Sequence, residues 1–258
     1  RLGQQEQAYI LANQAAQSPE SDTEAQAVER ALVRLARQLG QPQPGKAKAV
    51  APTRLDLCLP RPDAYSVEFA VKAHLSEPEG PVHYVENSLI CSLFGLLCWE
   101  AIFAPVPGAF FHPFHTGPVD LFSADFHPRR AELFAACLAH LDSDAYKQVI
   151  RQRYADKFGI QSPFVFWGAL DQALLEQALN CLPAAHLRAW FKRLLLDIKA
   201  NRAGMPDLIQ FWPAEQRYRM IEVKGPGDRL QDNQRRWLAF CAEHGMPVDV
   251  CYVQWADA

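Results

Sequence analysis

Hydrophobic residues recur at helical spacing through most of this chain and change to strand-like runs only near its C-terminal end. Two helices are predicted first, at 6–17 and 22–39. Ser21 and Glu24 form a potential capping box at the start of the second helix. The prolines and glycine of 41–52 interrupt any regular structure and predict a linker.

The next block, 53–200, is expected to be helical for the most part. It opens with a short apolar segment at 55–59 and contains an irregular stretch rich in Pro, Phe and His at 104–130. The segment 86–103 is so apolar that its helix must be buried on most sides. The predicted helices of this block are 66–75, 86–103, 129–141, 143–158, 170–181 and 184–199.

The last 55 or so residues have a different pattern, because short apolar runs alternate with turn residues. Strands are predicted at 207–212, 218–223 and 247–253. Between the last two lies a predicted helix, 229–244, for which Asp228 and its N3 partner Gln231 form the cap. The predicted order of this region is strand, strand, helix, strand.

The composition is that of a globular chain. Of 258 residues, 49% are apolar and 21% are charged, so a sizeable core can form. The longest apolar run, 89–103, is too short and too polar to span a bilayer, and no membrane partner is expected. The seven cysteines form no C-x-x-C pair, which favours reduced thiols in an intracellular compartment over a disulfide framework or a structural zinc site.

The charge is distributed unevenly along the chain. The overall net charge of −3 is a weak argument against a nucleic-acid partner. Residues 188–236 nevertheless hold 11 basic and 6 acidic side chains, a net charge of +5, which leaves −8 on the rest. This asymmetry favours a polyanion partner near the C-terminal end, with solvated helix faces as the simpler alternative.

Asp207, Glu222 and Lys224 are the residues most suggestive of chemistry. Side chains alternate along a strand, so Glu222 and Lys224 share one face while Val223 points to the other. A hairpin can bring Asp207 beside Glu222, and two adjacent carboxylates favour a cation such as Mg²⁺ or Mn²⁺. A nearby lysine can position water or stabilise charge on a phosphate. Glu-x-Lys by itself is typical of a solvated strand face.

The sequence around these residues resembles a known nuclease module. The strings GMPD (204–207), IEVKGPGDRLQDNQRRWL (221–238) and VDVCYV (248–253) resemble the VRR-NUC branch of the PD-(D/E)xK nuclease superfamily. Upstream, HYVENSLICSLFGLLCWEAIF (83–103) is similar to the Fanconi-associated nuclease family. The chain is therefore identified as the C-terminal portion of a bacterial member.

The resemblance implies a fold and a division of the chain. The expected class is α/β, with a restriction-endonuclease-like core in which helices flank a mixed β-sheet. The catalytic core is placed at 201–258 and the helical part of the nuclease module at 53–200. Residues 1–40 are expected to be the end of a TPR-like helical region, followed by the linker 41–52.

The resemblance also implies a set of site residues. Glu86 would join Asp207 and Glu222 as metal ligands, the backbone carbonyl of Val223 would be a further ligand, and Lys224 would complete the motif. Gln234 would face the site. From the pattern alone, Glu100 competes with Glu86 for this position, Glu86 could merely favour a helix N-terminus, and Gln234 could be a satisfied core amide.

Four basic residues are candidates for DNA contacts: Lys199, Arg202, Arg193 and Arg229. Relatives bind the 5′ end of a cut strand through basic residues, and Lys199, a few positions before Asp207, is the strongest candidate. A solvated helix end is an equally good interpretation of Arg202. Substrate selection is expected from shape and phosphate contacts, since no base-reading motif is visible.

The expected function is that of a structure-selective DNA nuclease using one or two Mg²⁺ or Mn²⁺ ions. The resemblance implies 5′-flap endonuclease and 5′-to-3′ exonuclease activity in interstrand crosslink repair. The expected partner is branched, 5′-flapped DNA, bound by a monomer, with a dimer on DNA as the alternative. The expected location is the cytoplasm or nucleoid in a bacterium and the nucleus in a eukaryote. The rival functions are a Holliday-junction-resolvase-like nuclease and a non-catalytic DNA-binding module.

Overall fold

A computed structural model describes residues 2–42, 52–61 and 66–256. The chain separates into two compact units, residues 1–50 and 51–258. Across the described residues, no helix combines the length and the apolar character needed to cross a membrane.

The first unit is a pair of helices that pack against each other, α1 (Leu2–Gln17) and α2 (Asp22–Leu39). Ser21 is the N-cap of α2, and its hydroxyl accepts a hydrogen bond from the backbone N–H of Glu24 at 3.1 Å. The predicted cap by Ser21 is therefore present, but the Glu24 carboxylate accepts a hydrogen bond from the N–H of Glu20 at 2.7 Å, so the reciprocal half of the capping box is not formed with Ser21. The predicted linker 41–52 lies mostly outside the described residues.

The second unit holds a β-sheet and helices on both of its faces. Its strands and helices, in chain order, are β1 (Thr53–Leu59), α3 (Val67–Leu75), β2 (Val82–Tyr84), α4 (Ser88–Leu97), α5 (Trp99–Ile102), α6 (Ala131–Ala139), α7 (Ala145–Lys157), α8 (Gln172–Cys181), α9 (Ala184–Leu196), α10 (Ile198–Asn201), β3 (Leu208–Trp212), β4 (Arg217–Lys224), α11 (Asp232–Glu243) and β5 (Val248–Trp255).

The sheet is mixed, with the strand order β1-β5-β4-β3-β2. The strand β5 runs parallel to its neighbours β1 and β4, whereas β3 is antiparallel to both the central strand β4 and the edge strand β2. This arrangement confirms the predicted class, a mixed sheet flanked by helices. The segment 53–200 is less purely helical than expected, because it supplies β1 and β2 to the same sheet.

Alternate residues of β4 face two different cores. Ile221 and Val223 belong to the smaller core, which the sheet forms with α3. Tyr218 and Met220 belong to the larger core, which is shared with helices α4, α8, α9 and α11. By the same alternation, Glu222 shares the face of Met220. The apolar stripe of β4 is thus continued by charged residues at the strand's C-terminal end.

The predicted helix 86–103 is shorter and broken. The structure has α4 and α5, which meet at Cys98, and α4 begins only after a turn that contains Glu86. The turn exists because the backbone N–H groups of Val85 and Glu86 both donate to the carbonyl of Asp207, each at 2.9 Å. Glu100, the alternative to Glu86, instead forms an ion pair with Arg153, in which Glu100 Oε1 and Arg153 Nη1 are 2.6 Å apart.

The start of α11 also differs from the prediction. Gln231 is the N-cap and Gln234 is its N3 partner, in a capping box three residues further on than expected. Asp228 has another role: its carboxylate accepts a hydrogen bond from the N–H of Gly225 at 2.9 Å and closes the turn after β4. The helix therefore begins at Asp232.

Candidate active site

Asp207 is fixed at the point where β3 begins beside the end of β4. Leu208 pairs with Ile221, so Asp207 comes next to Glu222 as the hairpin predicts. The Oδ2 atom of Asp207 accepts a hydrogen bond from the N–H of Val223 at 2.8 Å. The antiparallel pairing thus sets both the position and the orientation of this carboxylate.

Glu222 and Lys224 form a buried ion pair next to Asp207. Lys224 Nζ lies 2.6 Å from Glu222 Oε1, and the two side chains are 8% and 1% exposed, respectively. Among the described residues, Glu222 Oε2 has no hydrogen-bond partner. A buried carboxylate oxygen without a partner is costly, so this atom calls for a ligand from outside the chain.

The pKa values of both carboxyl groups are raised. Burial, opposed by the Val223 hydrogen bond and the charge of Lys224, raises the pKa of Asp207 to about 6. Burial, reinforced by the charge of Asp207 and opposed by Lys224, raises the pKa of Glu222 to about 7. The nearby positive charge of Lys224 is therefore not enough to offset desolvation and mutual repulsion.

These two carboxylates fit a divalent cation. Both supply hard oxygen ligands, they lie side by side, and Glu222 Oε2 is buried without a partner. Among the residues that the structure describes, no three Asp, Glu, His or Cys side chains are already grouped to hold a metal ion. A third carboxylate would therefore have to reorient to join Asp207 and Glu222.

Glu86 is close to the site but is turned toward its own neighbours. The backbone N–H of Glu86 donates a hydrogen bond to the carbonyl of Asp207, and the φ angle of Glu86 is +35°. Its carboxylate is exposed and accepts hydrogen bonds from Tyr84 Oη at 2.7 Å and from Asn87 Nδ2 at 3.1 Å. Burial, together with the hydrogen bond to Glu86, raises the pKa of Tyr84, which keeps its hydroxyl a donor.

Gln234 has a structural role at the start of α11. Its Oε1 accepts a hydrogen bond from the N–H of Gln231 at 2.8 Å, which completes the capping box. The side chain is thus engaged with its own helix. This gives a local reason for a glutamine at this position, and among the described residues no hydrogen bond joins Gln234 to Asp207 or Glu222.

The four basic candidates divide by exposure. Lys199, on α10, and Arg229, in the turn after β4, are both exposed. Arg202 is partly buried: it donates to the carbonyl of Pro163 at 3.1 Å, and its guanidinium lies 5.7 Å from the centre of the Phe122 ring. Lys199 and Arg229 are therefore better placed than Arg202 to meet a phosphate.

Arg193 does not have the surface position expected of a DNA contact. Arg193 is only 6% exposed. Its guanidinium packs over the rings of Trp237 and Phe240, at 5.1 and 4.6 Å from their centres. Helical periodicity placed Arg193 largely off the apolar stripe of α9, but α11 covers that side. This arginine holds α9 against α11.

Sequence reasoning missed three residues around the site. Asn87 accepts a hydrogen bond from the N–H of Met205 at 3.1 Å and so connects the Glu86 turn to the segment just before Asp207. The Tyr84 hydroxyl donates a hydrogen bond to the Glu86 carboxylate. The negative charge of Glu68 is a minor contribution to the raised pKa values of Asp207 and Glu222. Asn87 and Tyr84 flank Glu86 in the sequence, and that adjacency was the signal available. Glu68 lies on α3, far from the motif in sequence, so no local pattern could single it out.

Comparison with known proteins identifies the module. The VRR-NUC domain model matches residues 141–255. A Fanconi-associated nuclease 1 homolog from Pseudomonas aeruginosa is 65% identical over 250 residues, which cover 96% of this chain and 45% of that protein. Fanconi-associated nuclease 1 from Homo sapiens is 32% identical over 176 residues, covering 65% of this chain and 17% of the human protein.

A solved structure matches the fold over nearly the whole chain. The crystal structure of paFAN1 bound to 2nt 5′flap DNA with gap superposes with a TM-score of 0.94 at 64% identity, covering 98% of this chain and 47% of that one. This chain thus spans less than half the length of these relatives. On this domain match, identity and fold, the chain belongs to the Fanconi-associated nuclease family.

Proposed function

We propose that this chain is a divalent-metal-dependent DNA nuclease that hydrolyses phosphodiester bonds in branched DNA. The observation that carries the proposal is the buried group of Asp207, Glu222 and Lys224 at adjacent strand ends, where one carboxylate oxygen has no partner. A divalent cation would offset the cost of burying this carboxylate and would also promote phosphodiester hydrolysis.

The cation is proposed to be Mg²⁺ or Mn²⁺, as one or two ions. Asp207 and Glu222 would hold it, together with the carbonyl of Val223 and, after its carboxylate leaves Tyr84, Glu86. When bound, the cation would supply positive charge to the phosphodiester oxygens and a water of lowered pKa.

The chain's own residues would position the reactants. The N–H of Val223 holds Asp207 Oδ2 in place, so this ligand is oriented in advance. Lys224 Nζ would pass from Glu222 to the attacking water or to the phosphate, once Glu222 has a cation to balance its charge. Gln234 would face the site only if its side chain leaves the capping box of α11.

The proposed substrate is DNA that carries a 5′ flap, cut endonucleolytically near the branch and exonucleolytically in the 5′-to-3′ direction. The relative paFAN1 has been crystallised with 5′flap DNA, and the family name is consistent with interstrand crosslink repair. Lys199 and Arg229 are the proposed phosphate contacts because both are exposed. The protein is proposed to act as a monomer, which its solution mass would test.

The test is cleavage of end-labelled 5′-flap, 3′-flap and plain duplex DNA in Mn²⁺ or Mg²⁺, with EDTA as the metal-free condition. We expect metal-dependent cutting that prefers the 5′ flap. Glu222→Ala should abolish cutting while DNA binding is kept. Glu79→Ala, which removes an exposed carboxylate after α3, is the matched control and should cut normally.

Binding is measured beside cleavage so that the rival functions are distinguished. If flap DNA is bound with shape preference but is not cut in any metal, the non-catalytic DNA-binding module replaces the nuclease. If four-way junctions are cut in preference to flaps by a dimer, the resolvase-like alternative replaces the flap specificity.

A further inference from the structure

The irregular stretch between α5 and α6 contains a loop whose base is held by specific contacts. The N–H of Val119 donates to the carbonyl of Ala109 at 2.9 Å and closes a loop over residues 109–119. Directly after it, the carboxylate of Asp120 accepts hydrogen bonds from both terminal nitrogens of Arg130, at 2.8 and 3.0 Å. Arg130 is only 1% exposed. The loop therefore projects from a fixed, buried anchor.

The tip of this loop carries two exposed phenylalanines. Phe111 and Phe114 are 77% and 82% exposed, whereas the adjacent Phe110 stacks on Phe103 with ring centres 6.3 Å apart. An aromatic ring left in water forgoes the free energy that its burial would provide. Two such rings three positions apart on an anchored loop are typical of a surface that binds a partner.

The base of the loop contacts the segment that leads to Asp207. Gly117 lies against Pro163, since a Cβ added to this glycine would be 3.0 Å from Pro163 Cγ. Arg202 donates to the carbonyl of the same proline at 3.1 Å, and its guanidinium lies 5.7 Å from the centre of the Phe122 ring. Asp207 follows Arg202 by five positions. The loop is thus joined to the strand end that carries the candidate active site.

The chemistry of the tip selects one part of a DNA substrate. A phenylalanine ring has no hydrogen-bonding atom, so it gains nothing from a phosphate, but it can stack on the flat face of a base. Bases inside a duplex stack on each other, whereas bases at a flap or a branch are free. Proteins that bind single strands combine such rings with basic residues. Arg202 at the loop base, and Lys199 before it on α10, supply that charge.

We propose that Phe111 and Phe114 stack on unpaired bases at the branch of the DNA substrate, and that this contact gives the chain its preference for branched DNA over plain duplex. The inference rests on the proposed function and deepens it. Both residues bind and select the substrate, and neither takes part in the cleavage step.

The test is the affinity for 5′-flap DNA and for plain duplex, measured by fluorescence anisotropy in EDTA so that nothing is cut. The double variant Phe111→Ala/Phe114→Ala should bind flap DNA at least tenfold more weakly and keep its duplex affinity within about twofold. Phe111→Trp/Phe114→Trp keeps two aromatic faces and should retain flap binding. Phe158→Ala removes another exposed phenylalanine, at the end of α7, and should change neither affinity.

Flap DNA that lacks the bases in the flap and beside the branch identifies the partner of the two rings. The unmodified protein should bind this abasic DNA about tenfold more weakly than intact flap DNA. The alanine variant should lose little further affinity on it, because each change removes the same contact. Duplex binding, measured on the same samples, shows that the alanine variant is folded.

Three results would overturn the inference. They are equal flap affinities for the alanine variant and the unmodified protein, equal losses on flap and duplex DNA, and a tryptophan variant as weak as the alanine variant. The first would assign the tip to a partner other than DNA. Metal-dependent cutting of flap DNA by the unmodified protein would keep the proposed function in each case, whereas absence of flap binding by the unmodified protein would overturn both.

Discussion

Replacing Glu222 by glutamine is expected to stabilise the metal-free protein above pH 7, although it removes one partner of an ion pair. The pKa of Glu222 is raised to about 7, mainly by burial and then by the charge of Asp207, and this value already includes the favourable effect of Lys224. The ionised carboxylate is therefore a net cost in the folded state, and glutamine resembles the protonated form.

The direction with pH follows from the raised pKa. Protonated Glu222 contributes stability that is fully present below pH 4.5, the ordinary pKa of glutamate, and is lost as the pH rises through about 7. The full difference corresponds to about 3 kcal/mol at pH 8. Glutamine reproduces the protonated carboxyl group only in part, so we expect a net gain of about 2 kcal/mol and not the full difference.

The assay is thermal unfolding in EDTA at pH 5 and pH 8, beside Glu79→Gln as a matched control. About 2 kcal/mol should raise the melting temperature of Glu222→Gln by about 4 to 8 °C at pH 8 and by much less at pH 5. Saturating Mn²⁺ should reverse the order, because only the unmodified protein gains binding energy from the ion.

A melting temperature at pH 8 in EDTA below that of the unmodified protein would refute this reasoning. It would mean that the attraction between Glu222 and Lys224 exceeds the cost of burying the carboxylate. The site would then be a stabilising ion pair, and Glu222 Oε2 would no longer argue for a cation.

Four other substitutions test single contacts. Tyr84→Phe removes a hydrogen bond from Glu86 and should strengthen Mn²⁺ binding about threefold in a titration, since Glu86 is freed to turn; weaker binding would contradict this. Gln234→Ala should cost about 1 kcal/mol in urea unfolding and leave cleavage unchanged if the capping box is its role. Arg193→Ala should cost about 2 kcal/mol in the same assay, because a buried guanidinium stacked on aromatic rings is lost. Lys199→Ala should leave stability unchanged but weaken DNA binding, and it should reduce the slope of log affinity against log salt concentration by about one. An unchanged slope would show that Lys199 does not contact a phosphate.

The C-terminal strands could be predicted because their pattern is local. In β4, alternation alone assigns Glu222 and Lys224 to one face and Val223 to the other, and the structure confirms this through the two cores. In contrast, β2 has only three residues, too few for an alternating pattern to be recognised in the sequence. The strand β1 is mostly exposed and mixes charged with apolar residues, so only its pairing with β5 defines it.

The caps show where local rules become ambiguous. Asp228 with Gln231 and Gln231 with Gln234 are overlapping capping patterns, and the sequence cannot choose between them. The choice is made by the turn after β4, which uses Asp228 to accept the hydrogen bond from Gly225. The helix start then moves to the second pattern.

The position of Glu86 could not be predicted, because it depends on a distant segment. Apolar periodicity extends a helix through Glu86, but two hydrogen bonds to the carbonyl of Asp207 hold this residue in a turn instead.

The paired hydrogen bonds from Val85 and Glu86 to the Asp207 carbonyl also make this site unusually suitable for mutagenesis. Both donors and the acceptor belong to the main chain, so the join between two segments far apart in sequence is independent of either carboxylate. Substituting Glu86 or Asp207 should thus change the ligands while the scaffold keeps its shape. Loss of function in such variants can be assigned to chemistry and not to misassembly.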